Sequence, residues 1–475
     1  MGGMRKFILI NSLGIAVSAC SSEMPGLTVP RLGNAVPVAE MFENIPAKAD
    51  ANGETALEVL ALAGTRQALS VPADPGNYSA AKWTSIKDPL KLAAEQDPAV
   101  STARADYREA LAKVSVARSA LRPQSDGGIQ VGGSASSSGN SALGAVSSLE
   151  ITQVVFDGGA GISRVDAAQF SADGAKARLE GVASGVALDA ANAWIDYVNA
   201  QSRLARNILA TNATTELLEK LRRLNESGLA DRATLQGAEI DLQTLDIESV
   251  QLTQMSQDAR VRLSRYYTSI PASTPLIVSP LGESDVIDAS TLWKNAPGLR
   301  VAAASVLAAR DELKSARAAF EPNVDLTAGA QAPLKAGEDV SFNVGFDVKW
   351  LFGDGGRRAA QVEAASAKLQ SLEDALEAAQ TSTQREISGL MARKGSLESS
   401  LELAVQQVAN YREQRTTAET QISAGTAGVA QLLSVTLQLH QAEARATDLR
   451  SEILKIDFSI ADRAGILLEW LEVTM

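Results

Sequence analysis

Residues 341–356, SFNVGFDVKWLFGDGG, narrow the choice of folds more than any other stretch. Taken two at a time, Phe342, Val344, Phe346, Val348, Trp350 and Phe352 share one side, and Ser341, Asn343, Asp347 and Lys349 the other. A period of two is that of a strand with one apolar and one polar face. The apolar face needs a cover, and the chain offers few other strand candidates from which to build a sandwich core. Lipid is the remaining cover. Directly afterwards the glycine-rich run 353–356 ends the extended stretch, and from Arg357 the sequence reads as a long helix free of proline.

The same junction occurs earlier. Residues 149–168, LEITQVVFDGGAGISRVDAA, match residues 346–365, FDVKWLFGDGGRRAAQVEAA, so that Gly158 and Gly159 answer to Gly355 and Gly356. Pro123 likewise answers to Pro322, and Gly228 to Gly425. The chain is a tandem repeat of about 200 residues.

Each repeat has two strand candidates around a small polar loop: 127–136 and 145–156, then 323–331 and 341–352. Ile129, Val131, Leu149, Ile151, Leu326 and the Phe342 series fall on one side, with Gln130, Glu150, Thr152, Asp325, Asn343 and Asp347 opposite. Alternation over about ten residues is what a tilted transmembrane strand requires. The segments 161–227 and 356–423 contain no proline, and each would reach about 100 Å as a continuous helix. A returning helix follows each. Its apolar seam steps by three and four: Leu432, Val435, Leu439, Ala442, Ala446, Leu449, Ile453, Ile456 and Ile460 in the second repeat. In the first repeat Leu235, Ala238, Leu242, Leu245, Leu252, Ala259 and Leu263 keep that register, broken at Ser249 and Ser256. Such seams pack knobs into holes along an antiparallel neighbour.

Arg5 and Lys6, a short apolar run and Val17-Ser18-Ala19-Cys20 read as a secretory signal ending in a bacterial lipobox, with Cys20 the lipidated residue. Cys20 is the only cysteine, so no disulfide forms within the chain. Removal of residues 1–19 leaves 42 Lys and Arg against 56 Asp and Glu, a net charge of −14, which argues against nucleic acid as a partner. The expected organisation is a signal peptide (1–19), a lipid-tethered Pro/Ala-rich segment (20–82), a first repeat (83–265), an equatorial connector (266–296), a second repeat (297–463) and a C-terminal segment (464–475).

No motif points to catalysis, a cofactor or a metal. The single histidine, His440, flanks the seam and reads as a surface or interface residue. The glycine pairs lack the lysine of a phosphate loop. The fold class expected is mainly α with a small β part: two long antiparallel helical hairpins and four spanning strands per chain. Four strands cannot close a barrel alone, and open edges in lipid leave backbone groups unpaired, so several chains must share one barrel.

At this point the chain resembles the TolC family of outer-membrane channels, over residues from about Lys82 onward. The resemblance rests on the repeat, on the order Pro, strand, loop, strand, Gly-Gly, helix, and on the tips Ser227-Gly228-Leu229 and Ala424-Gly425-Thr426. It implies a homotrimer with a shared twelve-stranded barrel and an α-barrel tunnel, no catalysis, and a periplasmic adaptor docked at the tips and driven by an inner-membrane transporter. Gly228, Leu229, Gly425 and Thr426 match the adaptor-contact tips. The family often closes the periplasmic mouth with aspartates plus a Tyr and an Arg. Here Gln431 and Ser434, with Ile422 and Ala427, stand in those places, leaving Glu226, Asp231 and Arg232 of the first tip as further gate candidates.

The lipid-facing residues on this reading are Leu149, Ile151, Phe342, Val344, Phe346, Val348 and Trp350. Type I protein secretion and efflux of small toxic compounds both remain open. So do two other classes, a periplasmic adaptor lipoprotein and a structural coiled-coil lipoprotein. The adaptor would show one hairpin instead of two, and for the structural protein the Phe342 series would be surplus.

Overall fold

A computed structural model of the protein describes residues 85–135, 141–267, 277–282, 292–333, 339–423 and 428–475. Cys20, the 20–82 segment and the second tip with Gly425, Thr426 and Ala427 lie outside the described residues.

Each repeat opens on a helix with proline in its first turn, where the missing N–H costs no helical bond. After the short helix α1 (Lys87–Gln96), which is not among the expected elements, these are α2 (Pro98–Ser119) and, in the second repeat, α5 (Pro297–Ala318). Asp97 caps α2, accepting from the Ala99 N–H at 2.8 Å. The first strand pair is β1 (Gln124–Ala135) and β2 (Ser141–Phe156), the second β3 (Asn323–Pro333) and β4 (Ser341–Lys349). β4 ends at Lys349, three residues short of the expected end at Phe352.

The long helices α3 (Ala160–Glu226) and α6 (Arg357–Ser423) each have 67 residues, about 100 Å of axis. Returning helices α4 (Arg232–Ser264) and α7 (Val429–Ala464) complete the hairpins, and a one-turn helix α8 (Leu467–Trp470) follows. No helix among the described residues is long and apolar enough to cross a membrane.

Helices pack side by side in one layer. On the sheet side the order is α2, α3, α5, α6, and toward the hairpin tips it is α4, α3, α7, α6. The seams set this arrangement. Leu432, Val435, Leu439, Ala442, Ala446, Ile456 and Ile460 are buried along α7, and Ala238, Leu245, Leu252, Ala259 and Leu263 along α4. Ser256 does not break the α4 seam: it is buried, with Gln201 Nε2 placed 2.7 Å from its hydroxyl.

The largest core lies between the two halves of the layer. Trp194, Phe458 and Leu467 are almost fully buried there with Ile86 and Leu90 from the α1 region. Trp470 meets Phe458 edge-on at 5.8 Å and carries Lys87 Nζ over its ring at 4.6 Å. Alanines 187, 190 and 191 of α3 leave room for this cluster by letting neighbours approach closely.

Candidate membrane-spanning sheet and hairpin tips

The four strands form one antiparallel sheet in sequence order, β1-β2-β3-β4. Residues directly opposite one another in an antiparallel pair share a face. Phe342, Val344, Phe346 and Val348 oppose Ala330, Ala328, Leu326 and Val324, while Leu149 and Ile151 oppose Ala330 and Ala328 from the other side. Ile129 and Val131 extend the same face onto β1 opposite Ser147 and Ala145.

A bulge between Val154 and Phe156 adds one residue to β2, which pairs Phe156 with Val324 and returns its ring to the apolar face. The register thus carries one apolar face across all four strands. That face is uncovered: Phe342 is 79% exposed and Val344 77%.

The opposite face is polar. Asp347 opposes Asp325, Asn343 opposes Gly329, and Gln331 opposes Ser341. Lys349 Nζ lies 2.7 Å from Asp347 and 3.9 Å from Asp325, which is buried and accepts a bond from Asn323 Nδ2 at 2.9 Å. Trp350 follows the strand instead of belonging to it. Its indole N–H donates to the Phe320 carbonyl at 3.2 Å, and its ring lies 4.9 Å from that of Phe352. An aromatic pair at a strand end, polar edge bonded and ring exposed, suits a membrane–water boundary.

Two equivalent junctions join sheet to helix. At both, an aspartate precedes two glycines in the left-handed region, with φ of 64° and 85° at Gly158 and Gly159 and of 67° and 91° at Gly355 and Gly356. Asp157 accepts from the N–H of Gly159 at 3.0 Å and of Gly161 at 2.5 Å. Asp354 accepts from the N–H of Gly356 at 3.1 Å and of Arg358 at 3.0 Å. Each aspartate therefore satisfies N–H groups that a helix start leaves without partners.

Arg358 adds a second anchor. Its Nε donates to Asp354 at 2.8 Å, its Nη1 to the Ala319 carbonyl at 3.1 Å and its Nη2 to the Leu351 carbonyl at 2.6 Å. The side-chain bond from Arg358, then the backbone N–H bond from the same residue, holds the Asp354 carboxyl below its ordinary value. The sequence reading passed over Asp157, Asp354 and Arg358. The two aspartates were findable, since they align in the repeat match.

At the first tip Gly228 has φ of 73°, and its N–H donates to the Asn225 carbonyl at 2.9 Å. Leu229 beside it is 78% exposed. Asp231 is a helix cap, bonded to the Thr234 N–H at 2.6 Å and to the Thr234 hydroxyl at 2.8 Å. Those contacts, the backbone one first, hold its carboxyl below the ordinary value. Glu226 and Arg232 flank the same turn, at the last residue of α3 and the first of α4. Gln431 and Ser434 are exposed in the first turns of α7.

His440 is not on the surface. It is 6% exposed, with Nε2 at 3.0 Å from Glu248 Oε2 across the layer.

A sheet with one apolar uncovered face and two open edges, seated on paired hairpins that reach about 100 Å, defines a class: the subunit of an outer-membrane channel. The chain belongs to the outer membrane efflux protein family, which it matches over residues 90–267 and 289–461, and it is accordingly a channel component and not an enzyme. Its fold is similar to that of solved outer-membrane proteins. The outer membrane protein VceC of Vibrio cholerae superposes with a TM-score of 0.68 at 17% identity, over 80% of this chain and 95% of that one. The open state of the MtrE outer-membrane channel of Neisseria gonorrhoeae gives 0.67 at 17% identity, over 81% and 89%. The CmeC channel of Campylobacter jejuni gives 0.64 at 14% identity, over 81% and 84%. No curated protein matches the chain in sequence.

Proposed function

We propose that three copies of this chain close one twelve-stranded barrel through the outer membrane and one helical tunnel beneath it, and that toxic compounds leave through the bore. The observation that carries this reading is the apolar face, continuous across four strands by register and open at both edges. An edge in lipid leaves N–H and C=O groups without partners at several kcal/mol each, roughly, which further copies would supply. The helical layer likewise has free edges at α2, α4 and α6.

On the same reading Cys20 is the lipidated residue after a cleaved leader at 1–19, residues 20–82 form a tethered segment, and the helices lie in the periplasm. The tips at Gly228, Leu229, Gly425 and Thr426 dock a periplasmic adaptor that links the tunnel to an inner-membrane transporter. Glu226, Asp231, Arg232, Gln431 and Ser434 border the mouth. The family's description, efflux, favours small compounds over secreted proteins as cargo.

The test is the oligomer and the pore. Heat-resistant trimers in outer-membrane fractions and ion conductance in planar bilayers are expected. A monomer that never conducts would discard the proposal.

A further inference from the structure

The second tip is devoid of fixed charge. Residues 420–442 include no Asp, Glu, Lys or Arg, and His440, the only histidine in the chain, is their one titratable side chain. A mouth built from this stretch has no ion pair within it; the first in the hairpin are Arg415–Glu419 along α6 and Arg412–Glu443 between α6 and α7. The charged contacts that join the two hairpins lie deeper: Arg203 to Asp448, Arg206 to Glu443 and Asp196 to Lys455 between α3 and α7, and Glu248 to His440 between α4 and α7. Glu248 is roughly 25 Å along α4 from Asp231, and His440 is roughly 18 Å along α7 from Gly428.

Here three helices are tied to one carboxylate. His440 Nε2 from α7 is 3.0 Å from Glu248 Oε2, and Arg203 Nη2 from α3 is 3.0 Å from Glu248 Oε1. Arg203 Nη1 continues to Asp448 of α7 at 3.3 Å, and Asn207 Nδ2 donates to Glu248 at 3.3 Å. Burial works against the Glu248 charge, but the bond from His440, then its charge, and the contacts from Arg203 leave the carboxyl below its ordinary value.

The imidazole borders two cavities of about 510 and 360 Å³, and its Nδ1 has no partner among the described residues. In the first cavity it faces Arg206 of α3, Arg412, Arg415 and Glu419 of α6, and Glu443 of its own helix. In the second it faces Arg203, Glu248, Arg445, Asp448 and Glu452. Three arginines and two carboxylates on one side offset two arginines and three carboxylates on the other. The surroundings balance in charge as a whole, and a proton on His440 converts a hydrogen bond from a neutral ring to the Glu248 carboxylate into an ion pair.

Resting on the channel reading above, we propose that the Glu248–His440 contact, braced by Arg203 and Asp448, is a proton-sensitive lock between the hairpins of the two repeats, set inside the mouth instead of at its rim. Protonated, it holds α4 and α7 together across α3 and narrows the tunnel. Neutral, it lets the hairpins part.

The test compares the full-length protein with His440→Gln and Glu248→Gln. Planar-bilayer recordings of the wild type should show an open fraction about tenfold lower at about pH 5.5 than at about pH 8. Both variants should lose most of that dependence. A single histidine also gives one set of ¹⁵N-imidazole signals, and the Nε2 resonance should move in Glu248→Gln, where the carboxylate that Nε2 contacts is gone.

A wild type without pH dependence, a His440→Gln channel that keeps it, or imidazole signals unmoved by Glu248→Gln overturns the lock. Absence of conductance from all three proteins overturns the channel reading instead, and the imidazole signals still decide the coupling.

Discussion

Gly158 packs against Glu321 so closely that a Cβ on the glycine would lie 2.7 Å from the Glu321 Cβ and 3.2 Å from the Ala318 carbonyl oxygen. Its repeat equivalent, Gly355, has a similar φ but nothing within 4 Å of the same imaginary atom. Both positions require the left-handed region, which costs a residue with a side chain about 1–2 kcal/mol. Only Gly158 adds crowding, against a backbone carbonyl and the first side-chain carbon of Glu321, which cannot swing away as a chain end could. Gly355→Ala is therefore expected to cost about 1–2 kcal/mol, and Gly158→Ala about 2–4 kcal/mol with overpacking included. Urea unfolding of the detergent-solubilised protein, read by circular dichroism, separates the two. Equal losses would show that conformational strain alone sets the price.

The apolar face makes a sharper demand. Val344 projects from the middle of β4 beside Ala328, on the face that carries Phe342 and Phe346. A lysine on a lipid-facing strand near the bilayer midplane costs about 2–4 kcal/mol. Val344→Lys should lower the heat-resistant fraction in outer-membrane extracts severely. Gln130→Lys, on the polar face, should leave it nearly unchanged, and similar yields from both variants would argue that no lipid touches Val344.

The architecture was legible in the sequence where a period repeats over many residues. The alternation of Phe342 to Val348 and the three-four seam of α7 are both of that kind, and both emerge with their buried or shared faces as read. The end of β4 was not legible. Trp350 and Phe352 continue the alternation, yet the chain leaves the ladder after Lys349, and the indole N–H of Trp350 turns to the Phe320 carbonyl.

The bulge at Val155 is equally silent, because a single extra residue looks like a break in the pattern instead of a correction to it. Arg358 stands four residues after Asp354, a helical spacing the sequence does offer, but its bond to the Ala319 carbonyl is out of reach of any spacing rule. So is the partner of His440, which was named without one: Glu248 lies in the other repeat.

Asp462 of α7 offers a pH-dependent test in the middle of the layer. Burial raises its carboxyl above the ordinary aspartate value, against the opposing bond from the Ser184 hydroxyl at 2.5 Å and the charge of Arg463. The folded state then holds the proton more tightly than the unfolded chain. Stability attributable to this group is therefore highest below the unfolded value and falls as pH rises through the window up to the raised one, leaving a constant penalty above it. Asp462→Asn keeps an oxygen for Ser184 and removes that penalty. The variant should unfold at higher temperature than the wild type at neutral pH, with the gain gone below the ordinary value of 3.8. A gain of the same size at every pH would mean that packing, and not ionisation, is at work.

The first tip separates shape from contact. Gly228 reverses the chain with nothing within 4 Å of its missing side chain, whereas Leu229 presents an apolar side chain to solvent with nothing of its own subunit to cover it. Leu229→Ser removes little folded-state packing, so the unfolding midpoint should shift by less than about 0.5 kcal/mol. If the tip is where an adaptor seats and the wild type, as proposed, restores resistance to toxic compounds in efflux-deficient cells, the same variant should lose much of it, because an exposed leucine contributes only when a partner covers it. Gly228→Ala, strained by about 1–2 kcal/mol at positive φ, should weaken the turn without removing that apolar contact. The two variants are to be compared for unfolding in detergent and for growth under drug. Full resistance in Leu229→Ser would place the docking contact elsewhere on the hairpins.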